Sequence, residues 1–543
     1  MTARERAFAQ WAIGGIAAFF LITRLALVWR FPPFYDEVLY ALWAARGSES
    51  PADRFVALEV GYEPLHSWLG MVLTWMGASP LTAVRLVSVL AGGVTVVMCG
   101  LVARELWGAR QGIAAAALAA IVPFFVVHDV IGIIDPLATA LVTSSVFLLV
   151  RLARRPSLAT ALLLGITLGG GLLTKRTTYA AIAMVPVSLA LLDWSPEGRA
   201  RRLARWLGGV FLALLVAYAL YSIMRLSTLW QAYQSFDVQG SGSAPVRTID
   251  AGLETPGTWI EQNWPAYRRL FSAYLTVPLV FAATVGAGLG LRDRRRETVL
   301  VLLWALVPLG AAVLLTKTQY ARYLLVVVPP LLVLGAHGIA EALDWLAARQ
   351  WSARAVRLAT AAAIAVLVLP ALVFDARVVA APVTAHYPGF DEIQYVTGGA
   401  ALKPFEQLAD DLRMRADNRP VVVAQGDFSS HYLELAFRSE PNLTLVRASD
   451  PKACGALYAV ENQVELPRRP EGLEWRRLKT YERPRSGVPT VLYESGVLDD
   501  LTFAATPDEL RAAIGGSDAD FDAFVRERPC VGQWRTAWYA ANG

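Results

Sequence analysis

Long apolar windows recur along the first 375 residues of this chain, and they constrain its fold more than any other feature. A helix that crosses a bilayer needs about 20 predominantly apolar residues. The chain is only 17% charged, whereas soluble domains average about 25% charged residues, which argues against a cytosolic enzyme. We predict a polytopic α-helical membrane protein with eleven transmembrane helices, near residues 8–29, 84–103, 111–127, 133–150, 157–173, 177–193, 206–224, 271–291, 298–316, 321–343 and 358–374.

The charge and cysteine content exclude two further classes of protein. The 50 Lys and Arg residues give a net charge of only +5 and occur in short clusters. A nucleic-acid-binding protein needs a continuous basic surface, so we predict no nucleic-acid partner. Three cysteines without a CxxC pair exclude a zinc ribbon and an Fe–S ligand set.

The basic clusters predict the orientation in the membrane. Lys and Arg are enriched in cytoplasmic loops, and with eleven spans all the main clusters fall on the side of the N-terminus. We therefore expect a multi-pass protein of a bacterial-type plasma (inner) membrane, with a cytoplasmic N-terminus and with loops 30–83 and 225–270 outside. The clusters lie at residues 104–110, 151–155, 199–205, 292–296 and 349–357.

The sequence changes character near residue 378. We predict a transmembrane domain over residues 1–378 and a small extracytoplasmic α/β domain over residues 379–543. In the second part, alternating apolar residues predict strands and amphipathic patterns predict helices. The predicted strands are Pro420–Ala424 and Leu443–Val446, the predicted helices lie near 402–416 and 428–438, and another helix begins at Thr506–Glu509.

Two of the three cysteines lie in this outer domain. Cys454 and Cys530 would be in an oxidising compartment, which is compatible with a disulfide; two free thiols in a core are the alternative. Cys99 falls inside a predicted span, where a free cysteine acts as a small apolar filler.

Acidic residues at the outer ends of spans are the first candidates for a functional site. Asp36 and Glu37 follow the first span, flanked by aromatic residues and Leu, and Asp135 begins the fourth. Ionisable groups at membrane depth are costly and usually mark a pathway or a catalytic site. The alternatives are a solvated loop for Asp36 and a helix N-cap for Asp135, which precedes Pro136.

Basic residues in two short outer turns are the second set of candidates. Lys175 and Arg176 lie in one turn, and Lys317, Arg322 and Tyr323 lie in the other. These cations oppose the positive-inside bias, and Lys and Arg bind phosphate, so the cluster favours an anion held at the membrane surface. Snorkelling of long side chains at helix ends is the alternative.

Glu63 and His66 belong to the first outer loop, before a short amphipathic stretch. A lone His is more often a hydrogen-bonded interface residue than a ligand. Asp36, His66, His128 and Asp129 are residue types that can bind a divalent ion, but their spacing specifies none. We therefore predict no specific metal site and no other cofactor, and a divalent ion stays the alternative.

Together these motifs resemble the GT-C membrane glycosyltransferases. More narrowly, the chain is similar to the polyprenyl-phosphate-mannose protein mannosyltransferases, a group of glycosyltransferase family 39 type that includes the bacterial aminoarabinose transferases. The similarity covers about residues 10–340. It is carried, in order, by Tyr35-Asp36-Glu37, Glu63-Pro64-Leu65-His66-Ser67-Trp68, Ala83-Val84-Arg85-Leu86-Val87-Ser88-Val89-Leu90, Ile134-Asp135-Pro136-Leu137, Gly171-Leu172-Leu173-Thr174-Lys175 and Arg322-Tyr323-Leu324-Leu325.

The resemblance implies transfer of a sugar from a polyprenyl-phosphate carrier to a protein, lipid or glycan acceptor outside the membrane. It implies that Asp36, with Glu37 beside it, is the general base or orients the acceptor, and that Asp135 lies near the donor sugar. One departure is Tyr62-Glu63-Pro64, where many relatives carry a basic residue, so the resemblance does not imply a phosphate contact from this loop and Tyr62 is not among the candidate residues. The residues implied to bind the donor phosphate are Lys175, Arg176, Lys317, Arg322 and Tyr323.

The chemistry agrees with this implication. An acceptor hydroxyl that attacks an anomeric carbon needs one carboxylate to take its proton. The departing phosphate is already charged, so cations can stabilise it without an acid. The alternative is a transporter or lipid flippase, which tends to show inverted repeats and charges near the bilayer midplane; a ligand-binding sensor would leave the basic turns unexplained.

Overall fold

The computed structural model describes most of the chain and divides it into two compact units. The first unit comprises Met1–Phe31 and Trp43–Phe390, and the second comprises Pro32–Leu42 and Asp391–Gly543. Nothing in the sequence pattern indicated that residues 32–42 belong with the C-terminal part. The described residues are 3–238, 248–349, 351–416, 421–447, 458–462, 475–487, 489–495, 508, 511 and 517–527.

Helices account for nearly all of the regular structure before residue 390. The α-helices are α1 (Ala3–Val28), α2 (Tyr35–Glu49), α3 (Leu65–Trp75), α4 (Pro80–Trp107), α5 (Ala109–Ile121), α6 (Pro123–His128), α7 (Ile134–Arg154), α8 (Leu158–Leu172), α9 (Tyr179–Ser188), α10 (Arg199–Tyr221), α11 (Trp230–Val238), α12 (Ile249–Glu254), α13 (Pro256–Leu270), α14 (Val277–Asp293), α15 (Arg295–Leu315), α16 (Val328–Ala347) and α17 (Ala353–Ala380). Between them lie 3₁₀-helices at Pro51–Val60, Arg176–Thr178, Leu189–Leu191, Ser222–Leu226 and Ala321–Val327, and a π-helix at Phe271–Thr276.

Eleven apolar helical segments match the eleven predicted spans one by one. Among the described residues, eight are long and apolar enough to cross a membrane, and three are shorter. The chain is therefore a multi-pass membrane protein, as predicted, whereas the number of eleven crossings stays a prediction. The eight are Gln10–Val28, Pro80–Trp107, Ile134–Arg154, Arg199–Leu226, Pro256–Asp293, Arg295–Leu315, Ala321–Ala347 and Ala353–Ala380; the three are Ala109–Ile121, Leu158–Leu172 and Arg176–Leu191.

Close helix packing in the first unit depends on small residues. A Cβ atom on Gly286 of α14 would lie only 2.0 Å from the backbone oxygen of Leu334 on α16. Such close approach of two backbones is typical of membrane helix pairs. Lipid provides no hydrophobic driving force between helices, so small residues at the interface allow the van der Waals contacts that hold them together. Cys99 is fully buried in α4 as a free thiol, as expected for an apolar filler.

The C-terminal part of the second unit contains a small sheet with helices. In its described residues the strand order is β2-β1-β3-β5-β4; β1 pairs in parallel with β2 and β3, and β5 pairs antiparallel with β3 and β4. The elements are α18 (Phe390–Glu392), a π-helix at Ile393–Thr397, α19 (Lys403–Ala416), β1 (Val421–Gln425), α20 (Asp427–Phe437), β2 (Leu443–Arg447), β3 (Tyr458–Asn462), β4 (Trp475–Tyr481), β5 (Thr490–Ser495) and α21 (Asp518–Glu527).

These elements confirm the predicted α/β character of the C-terminal part. The two predicted strands correspond to β1 and β2, and the two predicted helices correspond to α19 and α20. The helix start predicted at Thr506–Glu509 lies almost wholly outside the described residues, and Cys454 and Cys530 lie outside them.

Candidate functional site

Asp135 lies in the first turn of α7 and forms an ion pair there. The helix N-cap is Ile133, which makes no side-chain cap, so the N-cap alternative for Asp135 is wrong. Instead, the Asp135 Oδ1 atom accepts a hydrogen bond of 2.5 Å from the Lys175 ammonium. The Ser88 hydroxyl of α4 donates to the Ile133 carbonyl (3.2 Å) and fixes the position at which α7 begins.

Lys175 is placed by the tight turn that ends α8. Its backbone N–H donates to the carbonyl of Gly171 (2.9 Å), and the carbonyl of Leu173 accepts a bond of 3.0 Å from the Leu65 amide, in the first predicted outer loop. The turn therefore holds α8, the first loop and the start of α7 together. The Lys175 side chain is 19% exposed and that of Asp135 is 7% exposed, so solvent reaches the ion pair.

Aromatic rings cover one side of this ion pair. The Lys175 ammonium lies 4.9 Å from the ring centre of Tyr323, and the Arg322 guanidinium lies 4.7 Å from the ring of Tyr320 and 5.8 Å from that of Tyr323. Cation–π contacts of this kind hold a cation without neutralising its charge. The 3₁₀-helix at Ala321–Val327 thus brings a second cation toward Lys175.

A hydrogen-bond network fixes the turn that carries Lys317. The buried Asn263 amide of α13 donates to the carbonyls of Val313 (2.7 Å) and Thr316 (3.0 Å), and its oxygen accepts from the Gln319 amide (2.5 Å). Because buried polar side chains are nearly always hydrogen-bonded, such a network gives the turn one conformation. Asn263 and Gln319 were not among the predicted residues, and no local motif marks them.

Glu63 forms a second ion pair next to the first. Its Oε1 atom accepts a hydrogen bond from the Tyr233 hydroxyl (2.9 Å) and lies 3.6 Å from the Arg176 guanidinium, which also lies over the Tyr233 ring. Glu63 is 5% exposed and Arg176 is 44% exposed. Tyr233, on α11 in the second predicted outer loop, was not predicted, because nothing in its local sequence distinguishes it from other loop aromatics.

Burial controls the charge state of two loop residues. Burial raises the pKa of Glu63 from 4.5 to about 6, against the opposing effects of the Tyr233 hydrogen bond and the Arg176 charge. Burial lowers the pKa of His66 to about 3, although the Asp135 charge opposes this. At neutral pH Glu63 is therefore mostly ionised and His66 is neutral.

The predicted residues of the first unit thus form one contiguous group. Lys175 and Arg176 are adjacent in sequence and bind Asp135 and Glu63, respectively. With Arg322, which lies against the Tyr323 ring that Lys175 contacts, three cations lie near these two carboxylates, and this excess of positive charge favours binding of an anion. Lys317 lies in the turn that precedes Arg322. Among the described residues, no group of three or more His, Cys, Asp or Glu side chains could hold a metal ion.

Asp36 and Glu37 belong to the second unit. The buried Glu37 carboxylate accepts a hydrogen bond from the Phe34 backbone N–H (3.0 Å), an arrangement that caps the start of α2. Asp36 is half-buried in the same helical turn. The catalytic roles predicted for these two carboxylates stay predictions.

One buried ion pair was missed by the sequence analysis. The Arg24 guanidinium of α1 binds Asp129 Oδ2 at 3.3–3.4 Å and donates to the Ala120 carbonyl (2.8 Å). A lone Arg inside the first predicted span was the available signal. Asp129 was considered only as a metal ligand.

One family model matches part of the chain. The model described as dolichyl-phosphate-mannose-protein mannosyltransferase matches residues 62–223, a segment that contains Glu63, Asp135, Lys175 and Arg176. No curated protein sequence matches the chain.

Two solved structures are similar to the chain over most of its length. The structure of ArnT from Cupriavidus metallidurans bound to undecaprenyl phosphate shares 16% identity with a TM-score of 0.59, and the apo structure of the same protein shares 15% with a TM-score of 0.56. Each alignment covers 90% of this chain and 98% of ArnT. The chain therefore has the GT-C fold of membrane glycosyltransferases, as the resemblance in its sequence implied.

Proposed function

We propose that this protein is an inverting membrane glycosyltransferase that uses a polyprenyl-phosphate-linked sugar as donor. The observation that carries the proposal is the Lys175–Asp135 ion pair at 2.5 Å, with Arg322 and Tyr323 beside it. A Lys ammonium has three donors, so Lys175 can hold Asp135 and a phosphate oxygen at once. The GT-C fold and the match to ArnT bound to undecaprenyl phosphate support this choice of donor.

In the proposed reaction, an acceptor hydroxyl attacks the anomeric carbon of the donor. The new C–O bond forms as the bond from the anomeric carbon to the phosphate oxygen breaks, and the electron pair leaves with the lipid phosphate. Asp36 takes the hydroxyl proton, a role worth about 10²–10⁴ in rate. Lys175, Arg176, Lys317 and Arg322 stabilise the departing phosphate, and because Tyr323 lies under the Lys175 ammonium it orients one of these cations.

The proposal includes a location and an orientation. It places the protein in a bacterial inner membrane, with the N-terminus cytoplasmic and the reaction on the outer side, supported by the Lys and Arg clusters of the predicted inner loops. In a variant background without the natural cysteines, a membrane-impermeant maleimide should label Ser517→Cys and not Arg294→Cys in intact spheroplasts. The reverse labelling pattern would contradict this orientation.

The direct test is donor cleavage by the full-length protein in lipid nanodiscs. Undecaprenyl-phosphate-linked mannose, glucose, galactose and aminoarabinose are supplied in turn, each with a peptide, a lipid or a glycan acceptor, and release of undecaprenyl phosphate is followed. We expect release with one donor class, and loss of release in Asp36→Asn at an unchanged protein level in the membrane.

Two outcomes would count against the proposal. If Asp36→Asn releases lipid phosphate at the wild-type rate, Asp36 is not the base. If no donor is cleaved but a polyprenyl phosphate crosses the bilayer of proteoliposomes, the protein is a flippase. Arg110→Ala serves as the control, because the Arg110–Asp344 ion pair is exposed and lies in predicted inner loops; this variant should behave as wild type.

A further inference from the structure

The segment that precedes Asp36 is bound to the C-terminal domain by backbone pairing. The Leu402 amide donates to the Pro33 carbonyl (2.9 Å), and the Tyr35 amide donates to the Ala400 carbonyl (3.0 Å). Phe34 and Ala401 thereby form an antiparallel bridge. Two such bonds on either side of one residue pair fix the register of the segment, so the backbone next to Asp36 cannot slide along its partner.

The segment that pairs with it, residues 399–402, is in turn fixed to the sheet of that domain. The Asn462 amide, at the end of β3, donates to the Gly399 carbonyl (3.1 Å), and its oxygen accepts from the buried Arg483 guanidinium (2.5 Å). The same guanidinium donates to the Ala401 carbonyl (3.3 Å). An unbroken chain of hydrogen bonds therefore runs from β3 to the residues that flank Asp36.

Two aromatic contacts hold the segment from the sides. Phe34 is 1% exposed, and its ring lies edge-on to that of Tyr395, with 5.3 Å between the ring centres. Tyr395 belongs to the π-helix at Ile393–Thr397. The Tyr35 ring lies 5.5 Å from that of His431 on α20. Since α20 directly follows the buried strand β1, its position is set by the core of the domain.

The first turn of α2 also restricts the position of the segment that carries Asp36. Glu37 bonds back to the Phe34 amide, so the first turn of the helix begins at a defined residue. Asp36 lies between Tyr35, which contacts α20, and Glu37, which caps the helix, so neither neighbour can turn without breaking a contact.

From these contacts we infer that the C-terminal domain is a positioning device for Asp36, with Phe34, Tyr35 and His431 as positioning residues. The inference rests on the proposed function, in which Asp36 is the base. A base must meet its proton within hydrogen-bond reach, and a displacement of about 1 Å can lower a rate about 10²-fold. The domain therefore contributes to turnover through the placement of Asp36.

The test separates turnover from donor binding in the full-length protein in nanodiscs. Phe34→Ala should lower kcat for release of undecaprenyl phosphate about 100-fold with KM for the donor within about twofold, because only the alignment of the base is lost. His431→Ala should lower kcat about tenfold, and His431→Phe, which restores a ring, should return it to within about twofold.

A matched variant distinguishes alignment from general destabilisation. Phe437 is also a buried Phe of this domain and lies on α20, but no aromatic contact joins it to the segment before Asp36 among the described residues. Phe437→Ala should therefore leave kcat within about twofold of wild type. If Phe34→Ala does not reach the membrane, the two His431 variants carry the test.

Three results would overturn the inference, and they are distinguishable. Unchanged kcat in Phe34→Ala and His431→Ala, with an inactive Asp36→Asn, removes the positioning role and leaves the proposed function standing. Equal losses in Phe34→Ala and Phe437→Ala also remove it. A fully active Asp36→Asn, or a wild-type protein that cleaves no donor, overturns the base assignment or the function and the inference with it.

Discussion

The first unit contains two ion pairs of the same chemical kind in different surroundings. Arg24 binds Asp129 with side chains 0% and 2% exposed, whereas Lys175 binds Asp135 with side chains 19% and 7% exposed. Each pair joins elements that are distant in sequence. Their difference in access to solvent separates a structural pair from one that a ligand can reach.

The partners of each cation support this distinction. The Arg24 guanidinium also donates to the Ala120 carbonyl and the Thr23 hydroxyl, and it interacts electrostatically with Asp375. Four of the five guanidinium donors are used in these bonds and the side chain is fully buried, so a ligand cannot reach this cation. Lys175, in contrast, donates to the Asp135 carboxylate and lies over the Tyr323 ring. Its ammonium has three donors, so it can bind an anion as well.

A charged group within a membrane span is therefore not in itself a sign of function. Arg24 lies in the span Gln10–Val28 and joins α1 to the segment between α6 and α7. Room for its partner comes from Gly92, because a Cβ atom there would lie 2.4 Å from the Asp129 carboxylate. The Arg24–Asp129 pair thus acts as a clamp between α1 and the segment that joins α6 to α7.

The largest effect that we predict is on stability. Arg24→Leu should lower the free energy of unfolding by about 3–5 kcal/mol, because it leaves buried carboxylates without their cation. Thermal unfolding in nanodiscs, followed by intrinsic fluorescence, measures the change. Lys175→Leu, the same kind of substitution at the other pair, should cost less than Arg24→Leu, since the Lys175 side chain is 19% exposed whereas that of Arg24 is fully buried.

The double variant Arg24→Leu, Asp129→Leu is the control for charge burial. It should regain most of the lost stability, because it removes an unpaired charge together with its partner. If Arg24→Leu unfolds at the wild-type temperature, the clamp does not contribute to stability and the contrast between the two pairs fails.

The second effect is on activity and has the opposite pattern. Lys175→Leu should lower release of undecaprenyl phosphate about 10²-fold, since one cation at a developing phosphate charge contributes about 2.7–4 kcal/mol. Initial rates at saturating donor measure the loss. Arg24→Leu protein that has folded should retain a rate within about threefold of wild type; an equal loss in both variants would place the two pairs in one functional class.

The sequence predicted the helices well because membrane insertion imposes a simple rule. Each of the eleven apolar windows forms a helical segment, and β1 and β2 follow the predicted alternation. Both signals are local, since they depend on the period and length of apolar runs. Hence the fold class followed from the sequence alone.

Local sequence signals do not predict which residues of the site pair with each other. Lys175 and Asp135 are 40 positions apart, and Arg24 and Asp129 are 105 positions apart. Their pairing depends on which helix faces contact each other, which hydropathy does not encode. Sequence order and predicted side of the membrane selected Lys175 and Asp135 as candidates, but only packing shows that they bind each other.

Glu63 gives the third prediction, because the exposure of its carboxylate lies between those of Asp129 and Asp135. The carboxylate is buried, whereas its partner Arg176 is half-exposed. Burial raises the pKa of Glu63 from 4.5 to about 6 in the folded protein, so the folded state binds this proton more tightly than the unfolded state. The resulting stabilisation is fully present below pH 4.5 and is lost as pH rises through about 6.

The rise in the pKa of Glu63 from 4.5 in the unfolded chain to about 6 in the folded protein corresponds to about 2 kcal/mol of unfolding free energy. Wild type should therefore lose about this amount from Glu63 between pH 4.5 and pH 7, whereas Glu63→Gln, which mimics the protonated acid, should lack this part of the slope. Unfolding temperatures in nanodiscs over that range measure the difference between the two curves. Glu261→Gln, at an exposed position of α13, should follow wild type. Parallel curves for wild type and Glu63→Gln would show that Arg176 and Tyr233 offset the burial of the carboxylate completely, so that the stability contributed by this pair would not depend on the protonation of Glu63.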